Sequence, residues 1–211
     1  MLTQQIRRHM NGEVANSMRN MDSSYKKNYG VAIGHIRLIC NNIDVANVLS
    51  EADCDEMWNS GWREMMLVAA ETIGRLGAID LERIMSWSRV VANVELVNTL
   101  SRVVGVSACA KAEICDALVA RNVGFDFSLA LNIAGWSGEA DLMRKLLMSA
   151  CGMVWTSDVG RAVSFLARKA VRLGGLEDVV ERVLTSAAEQ DSRTSLLVVE
   201  DVRTELEYGS L

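Results

Sequence analysis

Three stretches carry the reading of this chain: Tyr25-Lys26-Lys27-Asn28-Tyr29-Gly30-Val31, running on to Arg37; Trp58-Asn59-Ser60-Gly61-Trp62-Arg63-Glu64; and Arg161-Ala162-Val163-Ser164-Phe165-Leu166-Ala167-Arg168. In the first, Gly30 permits a turn that an L-residue would resist. In the second, Trp58 and Trp62 stand at i and i+4, a spacing that reads as packing at a first repeat before it reads as a base-stacking platform. In the third, Arg161, Arg168 and the following Arg172 are separated by seven and four residues and so share one helix face, with Lys169 beside them.

Outward from these stretches the chain reads all-α. It contains no proline, the residue most hostile to helix interiors, and few aromatics. Glycine supplies the punctuation: Gly77, Gly105, Gly138 and the pair Gly174-Gly175 each follow one apolar-periodic segment and precede another. Gly77 to Gly105 spans 28 residues and Gly105 to Gly138 spans 33, each enough for two helices, which fits a helical solenoid better than a closed bundle. The spacing predicts helices over 2–10, 13–21, 33–42, 44–59, 61–76, 80–91, 93–104, 108–121, 127–136, 139–151, 156–173, 176–188 and 192–207. Ser50 with Asp53 forms a capping-box pattern, and Asp80 and Asp191 are each placed to accept from free amides at a helix start. Apolar stripes such as Met66, Ala69, Ala70, Ile73 and Leu76 read as core.

Length and composition bound the function. The 211 residues suit one elongated domain over 1–211, with a sizeable core. No apolar run is long enough to span a membrane and the first residues lack a signal-peptide core, so a cytoplasmic protein without a membrane partner is expected. Cys40, Cys54, Cys109, Cys115 and Cys151 are scattered and read as buried thiols, and the only histidines, His9 and His35, read as a surface and a partly packed residue. No metal and no cofactor is expected.

The net charge of −5 argues against a general affinity for nucleic acid, yet the charge is uneven. Residues 1–40 hold six basic and two acidic side chains, residues 41–60 hold five acids and no base, residues 61–173 hold thirteen bases and eleven acids, and the tail is acidic. The Arg161–Arg172 face is therefore either a phosphate-binding ridge or an ordinary solvated face.

In order and spacing, the three stretches resemble the DNA alkylation repair family, alkylpurine DNA glycosylases built from HEAT-like helix pairs. Tyr25, Tyr29-Gly30-Val31 and Arg37 carry the N-terminal part; Trp58, Trp62, Arg63 and Glu64 carry the second. Arg161 to Arg168 is similar to the family's Lys-Ala-Ile-Gly-Trp-x-Leu-Arg segment, with Phe165 at the tryptophan. The resemblance spans about residues 10–170 and implies a right-handed α-α superhelix of HEAT-like or ARM-type repeats, about six helix pairs. It also implies double-stranded, alkylated DNA as partner, held by Arg161, Phe165, Arg168, Lys169 and Arg172.

The same resemblance puts the activity in question. Asn93-Val94-Glu95-Leu96-Val97-Asn98 stands where the family has Asn-Trp-Asp-x-Val-Asp. Asn98 then occupies the position of the catalytic aspartate, whose charge stabilises the oxocarbenium-like sugar as the alkylated base departs. A neutral amide supplies no such charge and cannot deprotonate a water. Glu95 is the nearest carboxylate, about 60° around the helix from Asn98, and is the substitute acid to be tested. No phosphate loop, H-E-x-x-H or nucleophile elbow occurs. Three readings follow: a divergent DNA-binding or lesion-sensing member with weak or no base excision, an active glycosylase, or a scaffold that binds a protein partner in its concave groove.

Overall fold

The computed structural model describes residues 2–21 and 24–209. Among them thirteen α-helices follow one another: α1 (Leu2–Arg8), α2 (Gly12–Met21), α3 (Ile33–Ile43), α4 (Glu51–Asn59), α5 (Arg63–Leu76), α6 (Leu81–Trp87), α7 (Val94–Val106), α8 (Lys111–Arg121), α9 (Asp126–Ser137), α10 (Ala140–Cys151), α11 (Ser157–Leu173), α12 (Glu177–Gln190) and α13 (Arg193–Tyr208). Short 3-10 turns occupy Val45–Asn47 and Ser88–Val90, and one isolated β-bridge joins Lys27 to Trp62. The fold is all-α, and no helix is long and apolar enough to cross a membrane.

The chain divides into two compact units, one holding residues 1–103 and 107–109 and the other 104–106 and 110–211. In the first, α3 packs on α5, α4 on α5, and α1 on α3. Trp58 is fully buried and stacks on Trp87 with ring centroids 4.6 Å apart, so it belongs to the core, as its spacing suggested. In the second unit α9, α11 and α13 pack side by side, while α10 and α12 form a second row against them. This two-row packing buries the apolar stripe of each helix, including Val163, Leu166, Ala167 and Ala170 of α11.

Local signals explain most boundaries. Ser50 and Asp53 form a reciprocal capping box at α4, and Asp80 accepts from the Arg83 amide at α6. Gly77 and Gly138 close α5 and α9 in the left-handed conformation. Five expectations are corrected. The helix predicted over 44–59 is interrupted, because Asp44 ends α3 in the left-handed conformation and α4 starts afresh at the Ser50 cap. Gly105 does not end a helix: α7 runs through it to Val106, and Gly105 lets the helix approach Trp136 and the Ile133 carbonyl. Asp191 is the left-handed residue closing α12, and the cap of α13 is Ser192, which pairs reciprocally with Ser195. Cys40, Cys54 and Cys115 are buried, but Cys109 and Cys151 are only partly so. His35 is exposed and stacks on His9 at 4.8 Å.

Candidate nucleic-acid interface

Glu95 and Asn98 both lie on α7, one turn apart, in different environments. Glu95 sits in the first turn, where its carboxylate accepts from Arg63 Nε at 2.7 Å and Nη2 at 2.5 Å and from the Tyr25 hydroxyl at 2.8 Å. Arg63 is 1% exposed; its Nη1 donates to the Val31 carbonyl at 2.7 Å and to Glu64 at 3.0 Å. Glu64, fully buried, accepts from the Tyr29 and Val31 amides at 3.1 and 3.2 Å. The two N-terminal stretches thus converge on one polar hub that ties the 24–32 loop to α5 and α7. Gly30, at φ +72°, is where the loop turns against Asn11 and Ala15.

The hub sets its own protonation states. Burial, reinforced by the Glu95 charge, pushes the Tyr25 hydroxyl well above the usual phenol range. Burial opposes the charge on Arg63, but hydrogen bonds and charge from Glu95 and Glu64 more than restore it, so its pKa is raised. Glu95 is therefore an ion-pair partner with its lone pairs engaged, a third exposed. Asn98 is exposed on α7, and its carbonyl accepts from Ser101.

The structure places Arg161, Phe165, Arg168, Lys169 and Arg172 on the single helix α11, as their spacing requires, but gives them different partners. Arg161 is 68% exposed and lies 3.9 Å from Asp158. Phe165 is half-buried, pressed against Gly135 of α9, where a Cβ would meet its ring at 2.5 Å. Lys169 Nζ lies 5.2 Å from the Trp136 ring centroid and 5.7 Å from that of Phe165, and the two rings are 5.5 Å apart. Arg168 is half-buried, with Nε unpartnered among the described residues. Arg172 is held by Glu205 of α13 through two hydrogen bonds of 2.6 and 2.9 Å, which raise its pKa and hold Glu205 below the usual carboxylate range. The ridge is thus a mixture: a cation set on two aromatic rings, one open arginine, and one arginine already neutralised.

Sequence reasoning did not single out Trp136, because nothing in its spacing links α9 to α11. It also passed over Glu71, Arg75 and Arg102, which with Arg37 make a second polar cluster. Among the described residues no three His, Cys, Asp or Glu side chains converge as a metal site.

This arrangement of helices and motif residues agrees with the comparison to known families. Residues 2–123 match the family model described as DNA alkylation repair enzyme, and the chain belongs to that family. The match includes the Tyr25–Arg37 and Trp58–Glu64 stretches, Glu95 and Asn98; the α11 segment lies outside it. No curated protein and no solved structure matches the chain significantly.

Proposed function

We propose that the protein is a divergent, HEAT-like member of the DNA alkylation repair family that binds duplex DNA, or senses lesions in it, with weak or no base excision. The observation that carries this reading is the state of α7: Asn98, which the family resemblance puts at the catalytic position, is an exposed amide, and the neighbouring carboxylate, Glu95, is engaged by Arg63 and Tyr25. Drawing Glu95 away to serve as an acid would cost the buried Arg63 two hydrogen bonds and one of its two carboxylate partners. Losing one preorganised electrostatic group costs about 10²–10³ in rate, and a full charge more. Support for DNA binding comes from Lys169, Trp136 and Phe165, a cation beside two partly exposed rings, with Arg161 open on the same helix as Phe165.

The test is release of methylated purines from alkylated duplex DNA by the wild type and Asn98→Asp, alongside binding of that duplex at several salt concentrations. The expected result is binding that weakens with salt, no release by the wild type, and release by the variant. Release by the wild type would restore the active-glycosylase reading. Absence of binding would favour a protein-binding scaffold, a reading consistent with the Glu205 pairing of Arg172 and the exposed Leu196 and Leu197 on α13.

A further inference from the structure

Within the first unit, α3, α5 and α7 bring two guanidinium groups onto a single carboxylate, with a third arginine one helical turn along α5. Glu71 of α5 is 8% exposed on its side chain and accepts from Arg37 Nε of α3 at 3.1 Å and, on the same oxygen, from Arg102 Nη2 of α7. Arg75, one turn beyond Glu71, donates to the Cys40 carbonyl at 3.0 Å and to the Asn41 side chain, both neutral acceptors. Two positive charges share one negative charge, and Arg75 adds a third cation with no carboxylate partner among the described residues. A structural ion network would be expected to come closer to balance, because surplus like charge repels at these distances.

The donors left over have a direction. Arg37 is 44% exposed and bonds Glu71 only through Nε, so among the described residues its two Nη groups make no hydrogen bond. Arg75 is exposed as well. A guanidinium anchored by Nε, with its outer nitrogens open, has the geometry that grips an oxyanion with two parallel bonds. Arg102 is four residues from Asn98, about 6 Å along α7 and on the same face.

We propose that Arg37 and Arg102, both paired with Glu71, and Arg75, one turn beyond it on α5, form a site for a phosphoryl oxyanion. This rests in part on the DNA-binding reading, under which the occupant is a backbone phosphate flanking the nucleotide presented to Asn98. Glu71 aims Arg37 and Arg102, and the charge excess holds the anion.

Two probes separate the site from that reading: inorganic phosphate, followed by thermal unfolding against chloride of equal ionic strength, and a short fluorescent duplex followed over a salt series. Arg37→Gln leaves Glu71 paired with Arg102, and Glu71→Gln raises the local charge by one. The expected result is saturable stabilisation of the wild type by phosphate, lost in Arg37→Gln and reached at lower phosphate in Glu71→Gln. In the duplex series the salt slope of Arg37→Gln should shrink by about 0.9, the equivalent of one phosphate. Stabilisation no greater than with chloride, or the same in all three proteins, overturns the site. Duplex binding with an unchanged slope in Arg37→Gln also overturns it while leaving the DNA reading intact. Arginine-dependent stabilisation without duplex binding upholds the oxyanion site and removes DNA as its source.

Discussion

At the scale of single residues, the most constrained group is Arg63. It faces two carboxylates and a backbone carbonyl from within the core, and its five donors are the reason loop, α5 and α7 hold one geometry. Arg63→Ala leaves Glu64 buried with its charge uncompensated, so the variant is expected to lose about 3–5 kcal/mol in urea unfolding. Glu95→Gln removes a charge that is a third exposed, and the loss expected is nearer 1 kcal/mol. Equal losses in the two variants would show that the Glu64 side of the hub carries no special weight. Tyr25, Gly30, Arg63 and Glu64 were legible as family markers, but their physical meaning was not. Partners such as Arg63 and Glu95 stand 32 residues apart, and no local pattern announces the pair.

At the scale of helices, the glycines divide into those that end an element and those that let two elements touch. Gly77 and Gly138 were legible because a left-handed residue leaves a break in the apolar period on both sides. Gly105 breaks no period, being helical, and its role comes from α9: a Cβ there would meet Trp136 and stand 2.8 Å from the Ile133 carbonyl. Helix propensity alone favours alanine over glycine by about 1 kcal/mol. The packing predicts the opposite sign, with Gly105→Ala destabilised by about 1–3 kcal/mol through overpacking, measurable as a lower denaturation midpoint. A stabilised variant would mean that residue 105 and Trp136 move apart at little cost.

At the scale of the whole molecule, buried ionisable groups tie stability to pH. Burial pushes the Cys40 thiol up to about 12, helped by the Glu71 charge, and the Cys54 thiol up to about 11; Tyr25 is raised as well. In the unfolded chain thiols ionise near 8.5 and tyrosine near 10. Above about pH 8.5 the unfolded state therefore binds fewer protons than the native state, and stability falls as pH rises toward the folded values. A urea series from pH 7 to 11 should show that decline, shallower in Cys40→Ala. Cys40 and Cys54 should also resist a thiol reagent at pH 8 until the protein unfolds, since both are buried and neutral. Ready labelling of both in the native protein would contradict their burial.

The class of the fold, and the neutral amide that the family resemblance puts at the catalytic position, are legible in the sequence alone. Helix formation depends on properties local to each segment, the absence of proline, the apolar period and the caps, and a carboxylate absent from position 98 cannot be restored by folding. Which of the remaining charges are available was decided only in three dimensions. Glu95 is claimed by Arg63, Arg172 by Glu205, and Glu71 by Arg37 and Arg102, all across helices more than 30 residues apart. An ion pair depends on a few ångströms of separation, and that distance is set by how helices stack.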